Sequence, residues 1–167
     1  MILALQAIGS AVLTSAFLWP LTGLHAAELT GRVVSIADGD TLTVLVEGRQ
    51  QYKIRLAGID APERRQAFGE RARQHLSELA FGQTVQVEWN KADRYGRVIG
   101  KVRVSGRDVN LDMVGAGMAW HYKAYATEQS PRDQNTYGAA ESAARRAKRG
   151  LWRDADPLAP WEFRRLR

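Results

Sequence analysis

Two acidic motifs and two arginines along one stretch of chain have the types and spacing for chemistry. Asp38-Gly39-Asp40-Thr41 lies between two apolar runs, and Asp60 follows twenty residues later in Gly58-Ile59-Asp60-Ala61-Pro62-Glu63. Two carboxylates with loop carbonyls and water make a hard oxygen site suited to Ca²⁺. Glu63 follows Asp60 by three, which on a helix puts both on one side. A carboxylate beside a metal can take a proton from water. Arg55, inside a β pattern, and Arg97, after Tyr95-Gly96, add planar donor forks that match phosphate. Metal, base and paired guanidiniums are what phosphodiester cleavage asks for, because negative charge spreads over phosphoryl oxygens as water attacks in line. Each piece alone is ordinary: Asp-Gly makes turns, Asp60 to Glu63 resembles a helix cap, and a lone arginine is a surface charge. Their joint occurrence, in order, gives them weight.

Other chemistries drop out by absence. With no cysteine there is no disulfide frame, no Cys-ligated zinc and no thiol nucleophile. No Walker loop, dinucleotide fingerprint or nucleophile elbow occurs. His25, His75 and His121 are scattered, so a histidine triad or cage is not expected. Asp154-Ala155-Asp156-Pro157 reads as a turn, and Trp152 and Trp161 as packing for the tail.

The elements that must position these residues are mostly strands. Leu29–Ala37 carries Val33, Val34 and Ile36. Leu42, Val44 and Val46 alternate next, then Tyr52, Ile54 and Leu56: an antiparallel meander over three strands. If those strands pair, Asp40 at one strand's start and Asp60 beyond another's end converge at one mouth. Phe68, Ala72, Leu76 and Leu79 at helical spacing predict a helix over 63–80, with Gly82 as its stop. Strands are expected at 84–89 and 98–104, a short helix at 110–117 and a longer one at 132–149. Five strands with a helix between the third and fourth predict an OB-fold: a five-stranded Greek-key β-barrel with about three helices, α+β in class. Residues 28–152 form that domain, and 153–167 a tail packed on it.

The first 27 residues contain no Lys, Arg, Asp or Glu. They read as a signal peptide, so a secreted or periplasmic protein is expected. The alternative is an uncleaved membrane anchor facing away from the cytoplasm. All 24 basic and 18 acidic residues, hence the net +6, lie in the rest of the chain. A basic body favours polyanions such as nucleic acid. A monomer with no obligate protein partner is expected. Two other classes compete with a hydrolase: a non-catalytic OB module binding single strands, and a surface protein using Ca²⁺ only to hold a ligand.

Asp38-Gly39-Asp40-Thr41, Arg55-Leu56-Ala57-Gly58-Ile59-Asp60-Ala61-Pro62-Glu63 and Asp93-Arg94-Tyr95-Gly96-Arg97 together resemble the staphylococcal nuclease (thermonuclease) family. Val109-Asn110, Gly117-Met118-Ala119 and a basic last helix ending Gly150-Leu151-Trp152 extend the resemblance over most of the chain. It implies an OB barrel and a Ca²⁺-dependent endonuclease acting on DNA and RNA, leaving a 5′-hydroxyl and a 3′-phosphate. Carried across, Asp40 and Asp60 bind Ca²⁺ through carboxylates and Ala61 through its backbone carbonyl. Glu63 orients or deprotonates the attacking water, and Arg55 and Arg97 hold the scissile phosphate. Arg94 and Tyr95 contact a terminal phosphate. Tyr125 matches a base-pocket tyrosine, Lys123 stands where another is found, and Tyr122 substitutes for it. Aromatics that stack bases favour single-stranded substrates.

Overall fold

The computed structural model describes residues 27–166. The leader expectation therefore falls outside the described residues, all but Ala27. Among the described residues no helix is long and apolar enough to cross a membrane.

Strands β1 (Ala27–Ile36), β2 (Thr41–Val46) and β3 (Gln50–Leu56) form the expected meander, and β4 (Ile59–Asp60) is a two-residue extension beyond it. Helix α1 (Gly69–Ala80) leads into β5 (Thr84–Ala92), β6 (Val98–Val104) and the short β7 (Arg107–Asp108). Then come α2 (Val109–Gly115), β8 (Trp120–His121), a 3₁₀ turn at Lys123–Glu128 and α3 (Pro131–Arg146). A second 3₁₀ turn at Gly150–Arg153 precedes α4 (Pro160–Arg165).

The sheet runs β3-β2-β1-β5-β6-β7, and a parallel β3–β6 pairing closes it into a five-stranded barrel with helices outside. Alternation decides which residues enter. Val33, Leu42, Val44, Ile54, Leu56, Val85, Val87 and Val102 are buried inside, and α1 covers one end with Ala72, Leu76 and Ala80. Asn110 locks the closure. Buried at the start of α2, it donates from Nδ2 to Ala57 O (3.0 Å) and Gly100 O (3.2 Å) and accepts from Val102 N (3.1 Å).

The first helix differs from expectation. It begins at Gly69, not at 63, because Phe68 sits in the left-handed region (φ 67°) and the chain from Glu63 folds into tight turns. A Cβ on Gly69 would lie 1.9 Å from Glu63 O, so only glycine permits this wrap. The apolar period starts at Phe68, so it held no information on 63–67. Glu63 is therefore not on a helix with Asp60, and its placement has another cause, described below. Helix α3 ends three residues early, at Arg146, where Lys148 turns left-handed (φ 49°). The tail was expected to be ordered, but the helix within it was not foreseen.

Candidate active site

Strand pairing builds the floor of the site. Thr41 on β2 pairs with Arg55 on β3, and Leu56 N donates to Asp40 O (2.8 Å). Asp40, one residue before Thr41, thus lies beside Arg55. A Cβ on Gly39 would collide with Ala72 and Ala61 (2.6 and 2.7 Å), so glycine there lets the β1–β2 turn press against α1 and reach Ala61. Ala61 N then donates to Asp40 Oδ2 (2.8 Å). Asp60 is fixed from the other side, since β4 pairs with β8 and sets Asp60 opposite Trp120.

Arg55 joins the two acids. Its Nη2 donates to Asp60 Oδ1 (2.9 Å) and lies 3.2 Å from Asp40 Oδ2; Nη1 donates to Leu56 O and Ile59 O (both 2.9 Å). Asp60 is only 1% exposed and Asp40 6%, so this guanidinium is their internal counter-ion. Burial pushes Asp60 above the usual carboxylate range, against hydrogen bonding from Arg164 and the charge of Arg55. Burial, then the neighbouring Asp40 charge, pushes Asp38 up to about 6. The floor carries more acid than Arg55 alone can neutralise.

Arg97 is built differently. It follows the Asp93–Gly96 turn, where Asp93 Oδ1 accepts from Tyr95 N and Arg97 N and Oδ2 from Arg97 Nε (2.7 Å). Burial acts against them, yet these bonds keep the Asp93 carboxyl below its usual range. Among the described residues, the terminal nitrogens of Arg97 have no protein hydrogen bond, so its fork is open. Arg94 packs over Tyr95, which is 69% exposed, and donates to its hydroxyl (2.7 Å).

All ten residues singled out from the sequence line one cavity of about 710 Å³: Asp40, Arg55, Asp60, Ala61, Glu63, Arg94, Tyr95, Arg97, Tyr122 and Tyr125. Direct contact is narrower. Arg55, Asp40, Asp60 and the Ala61 backbone touch; Arg97 shares the cavity without touching them. The ring centroids of Tyr122 and Tyr125 lie 5.1 Å apart, with Lys91 over Tyr125, and the Tyr122 backbone N donates to Gly58 O beside the floor. Burial of His121 against Gln129 and the exposed pairing of His75 with Glu78 leave both histidines out of the site.

One residue that lines the site escaped the sequence reading. Arg164, on α4, donates from Nη2 to Asp60 Oδ2 (2.8 Å) and from Nη1 to Asp60 Oδ1 (3.3 Å) and Glu63 Oε1 (2.9 Å). It is Arg164, not helix register, that links Glu63 to Asp60. No local pattern could signal a contact across more than a hundred residues; the one hint was a run of arginines after Pro160.

Among the described residues no group of three His, Cys, Asp or Glu side chains is placed to hold a metal ion. What the floor offers is two adjoining carboxylates and the backbone around Ala61. An all-oxygen, acid-rich set of this kind fits an ion that accepts carboxylate, carbonyl and water ligands, as calcium does.

The family model for staphylococcal nuclease homologues matches residues 53–154, a span that holds every site residue named above but Asp38, Asp40 and Arg164. A micrococcal nuclease of Shigella flexneri is 43% identical over 97% of this chain and 92% of its own. An Escherichia coli protein named uncharacterized endonuclease is 42% identical over 89% of this chain and 91% of its own. The protein ParB of Escherichia coli is 45% identical over 83% and 81%.

Proposed function

The chain belongs to the staphylococcal nuclease family, and on that premise we propose that it is a calcium-dependent endonuclease hydrolysing DNA and RNA. The carrying observation is the meeting of Asp40 and Asp60 at Arg55 Nη2, on the floor of a cavity that Glu63 and Arg97 also line. The relatives named micrococcal nuclease and endonuclease support the same class of reaction.

In this reading Asp40 and Asp60 hold the cation through carboxylates and Ala61 through its carbonyl. Bound there, calcium would supply Lewis acidity toward a phosphoryl oxygen. Arg97 directs its open fork at the non-bridging oxygens, and Arg55 adds its fixed charge, so both gain strength as charge builds. Glu63 takes the proton of the attacking water on a carboxylate oxygen. Arg94 and Tyr95 meet a terminal phosphate, and Tyr122 and Tyr125 stack bases, which favours unpaired strands. Cleavage leaves a 5′-hydroxyl and a 3′-phosphate. The excess of basic residues tracks the backbone, so binding weakens with salt. The apolar leader is read as export from the cytoplasm, and the domain acts as a monomer.

The test is digestion of single-stranded DNA with calcium and then with excess chelator. Cleavage should stop on chelation and return when calcium is restored. Glu63→Gln should lower turnover by at least ~10²-fold, the loss typical of removing a positioned base. Strand binding without cleavage would return the chain to the non-catalytic single-strand binders.

A further inference from the structure

The tail of this protein reaches the catalytic floor, and the family model ends before it does. Helix α4 is held at its start by several contacts. Gln66 Nε2 donates to Leu158 O (2.6 Å), and Ala159 and Pro160 are buried. The ring of Trp161 stacks on Tyr122 (centroids 5.3 Å apart, planes 19°). Anchored in this way, the helix points Arg164 at Asp60 and Glu63.

We propose that Arg164 is a tethered counter-ion competing with the divalent cation for Asp60 and Glu63, so that the C-terminal helix sets how much cation the site needs. This rests on the metal assignment made above. Asp60 Oδ1 already accepts from Arg55 and Arg164, and Oδ2 accepts from Arg164 at 2.8 Å. A cation ligated by Asp60 must approach an oxygen to about 2.3–2.6 Å. With Arg55, the Arg164 fork takes three of the roughly four acceptor positions of Asp60, and its charge repels a second cation. The two therefore compete, and the cation gains the carboxylate by displacing Arg164. Displacement is feasible because the Arg164 side chain is 41% exposed on a flexible stem, whereas that of Arg55 is 14% exposed and also bonded to the backbone carbonyls of Leu56 and Ile59. Glu63 is released in the same event, because Arg164 holds it too.

The test is calorimetric titration of the full chain with calcium chloride alone, without nucleic acid. Arg164→Ala should bind calcium ~5–10-fold more tightly than the wild type, the effect of deleting one charge-assisted fork. Arg164→Lys should fall between, because one ammonium cannot bridge both carboxylates. Equal or weaker calcium affinity in Arg164→Ala overturns the proposal. A parallel titration with single-stranded DNA in chelator then tells what Arg164 does instead: weakened strand binding in Arg164→Ala, with calcium affinity unchanged, overturns the proposal and makes it a phosphate ligand. Asp40→Ala separates this from the metal reading. If it binds calcium as well as the wild type, the site assignment falls as well; if its binding drops while Arg164→Ala matches the wild type, only the competition falls.

Discussion

Arg55 and Arg97 have the same side chain and, in the function proposed above, the same task, yet the protein builds them in opposite ways. Arg55 lies on the barrel floor at the β3–β6 closure, with three hydrogen bonds and an ion pair to protein. Arg97 lies on a rim turn, where its guanidinium is tied through Nε to Asp93 and lies over the Tyr95 ring. The floor arginine is a structural counter-ion that the proposed mechanism also uses as a charge for the substrate, while the terminal nitrogens of the rim arginine are left open. A guanidinium's role is thus set less by its type than by how many acceptors the fold places around it.

The sharpest break of that comparison is Arg55→Ala. It should lower turnover by at least ~10²-fold and also cost about 3 kcal/mol of stability, because among the described residues it strands buried Asp40 without a cation and leaves Asp60 to Arg164 alone. Single-strand digestion and urea unfolding would measure the two. Arg97→Ala should lose at least ~10²-fold in turnover as well, but its unfolding free energy should change by no more than about 0.5 kcal/mol. The turn it leaves is still held by Asp93 accepting from Tyr95 N and from the backbone N of residue 97. Equal stability losses in the two variants would erase the distinction between floor and rim.

The floor was also the legible part. Period-2 alternation at Leu42, Val44 and Val46 against Tyr52, Ile54 and Leu56 specifies adjacent strands, and adjacent strands bring Asp40 to Arg55. The wall was not legible, because its contacts are made by irregular chain. Glu63 sits in a wrap that depends on Gly69 fitting against its carbonyl, and neither residue belongs to a periodic pattern. Helix α4 is six residues long, too short for periodicity to mark, and its contact with Asp60 exists only in three dimensions. Sequence pattern reports elements and their neighbours in a sheet; it does not report where a tail comes to rest.

The smallest predicted effect sharpens the comparison through charge. Asp38 flanks Asp40, and burial together with the Asp40 charge raises its carboxyl from 3.8 to about 6 in the folded chain. The folded state thus holds this proton more tightly than the unfolded chain does. The stability it contributes is complete below pH ~4 and is lost as pH rises through about 6. Asn has no such proton to lose. In chelator, the wild type should therefore melt progressively lower relative to Asp38→Asn as pH goes from 4 to 7, by a few degrees at most. Asp60, also raised, is present in both proteins and cancels in the difference. Melting curves that run parallel across that window would mean that the floor is not short of positive charge, and the excess of acid behind its contrast with the rim would have to be abandoned.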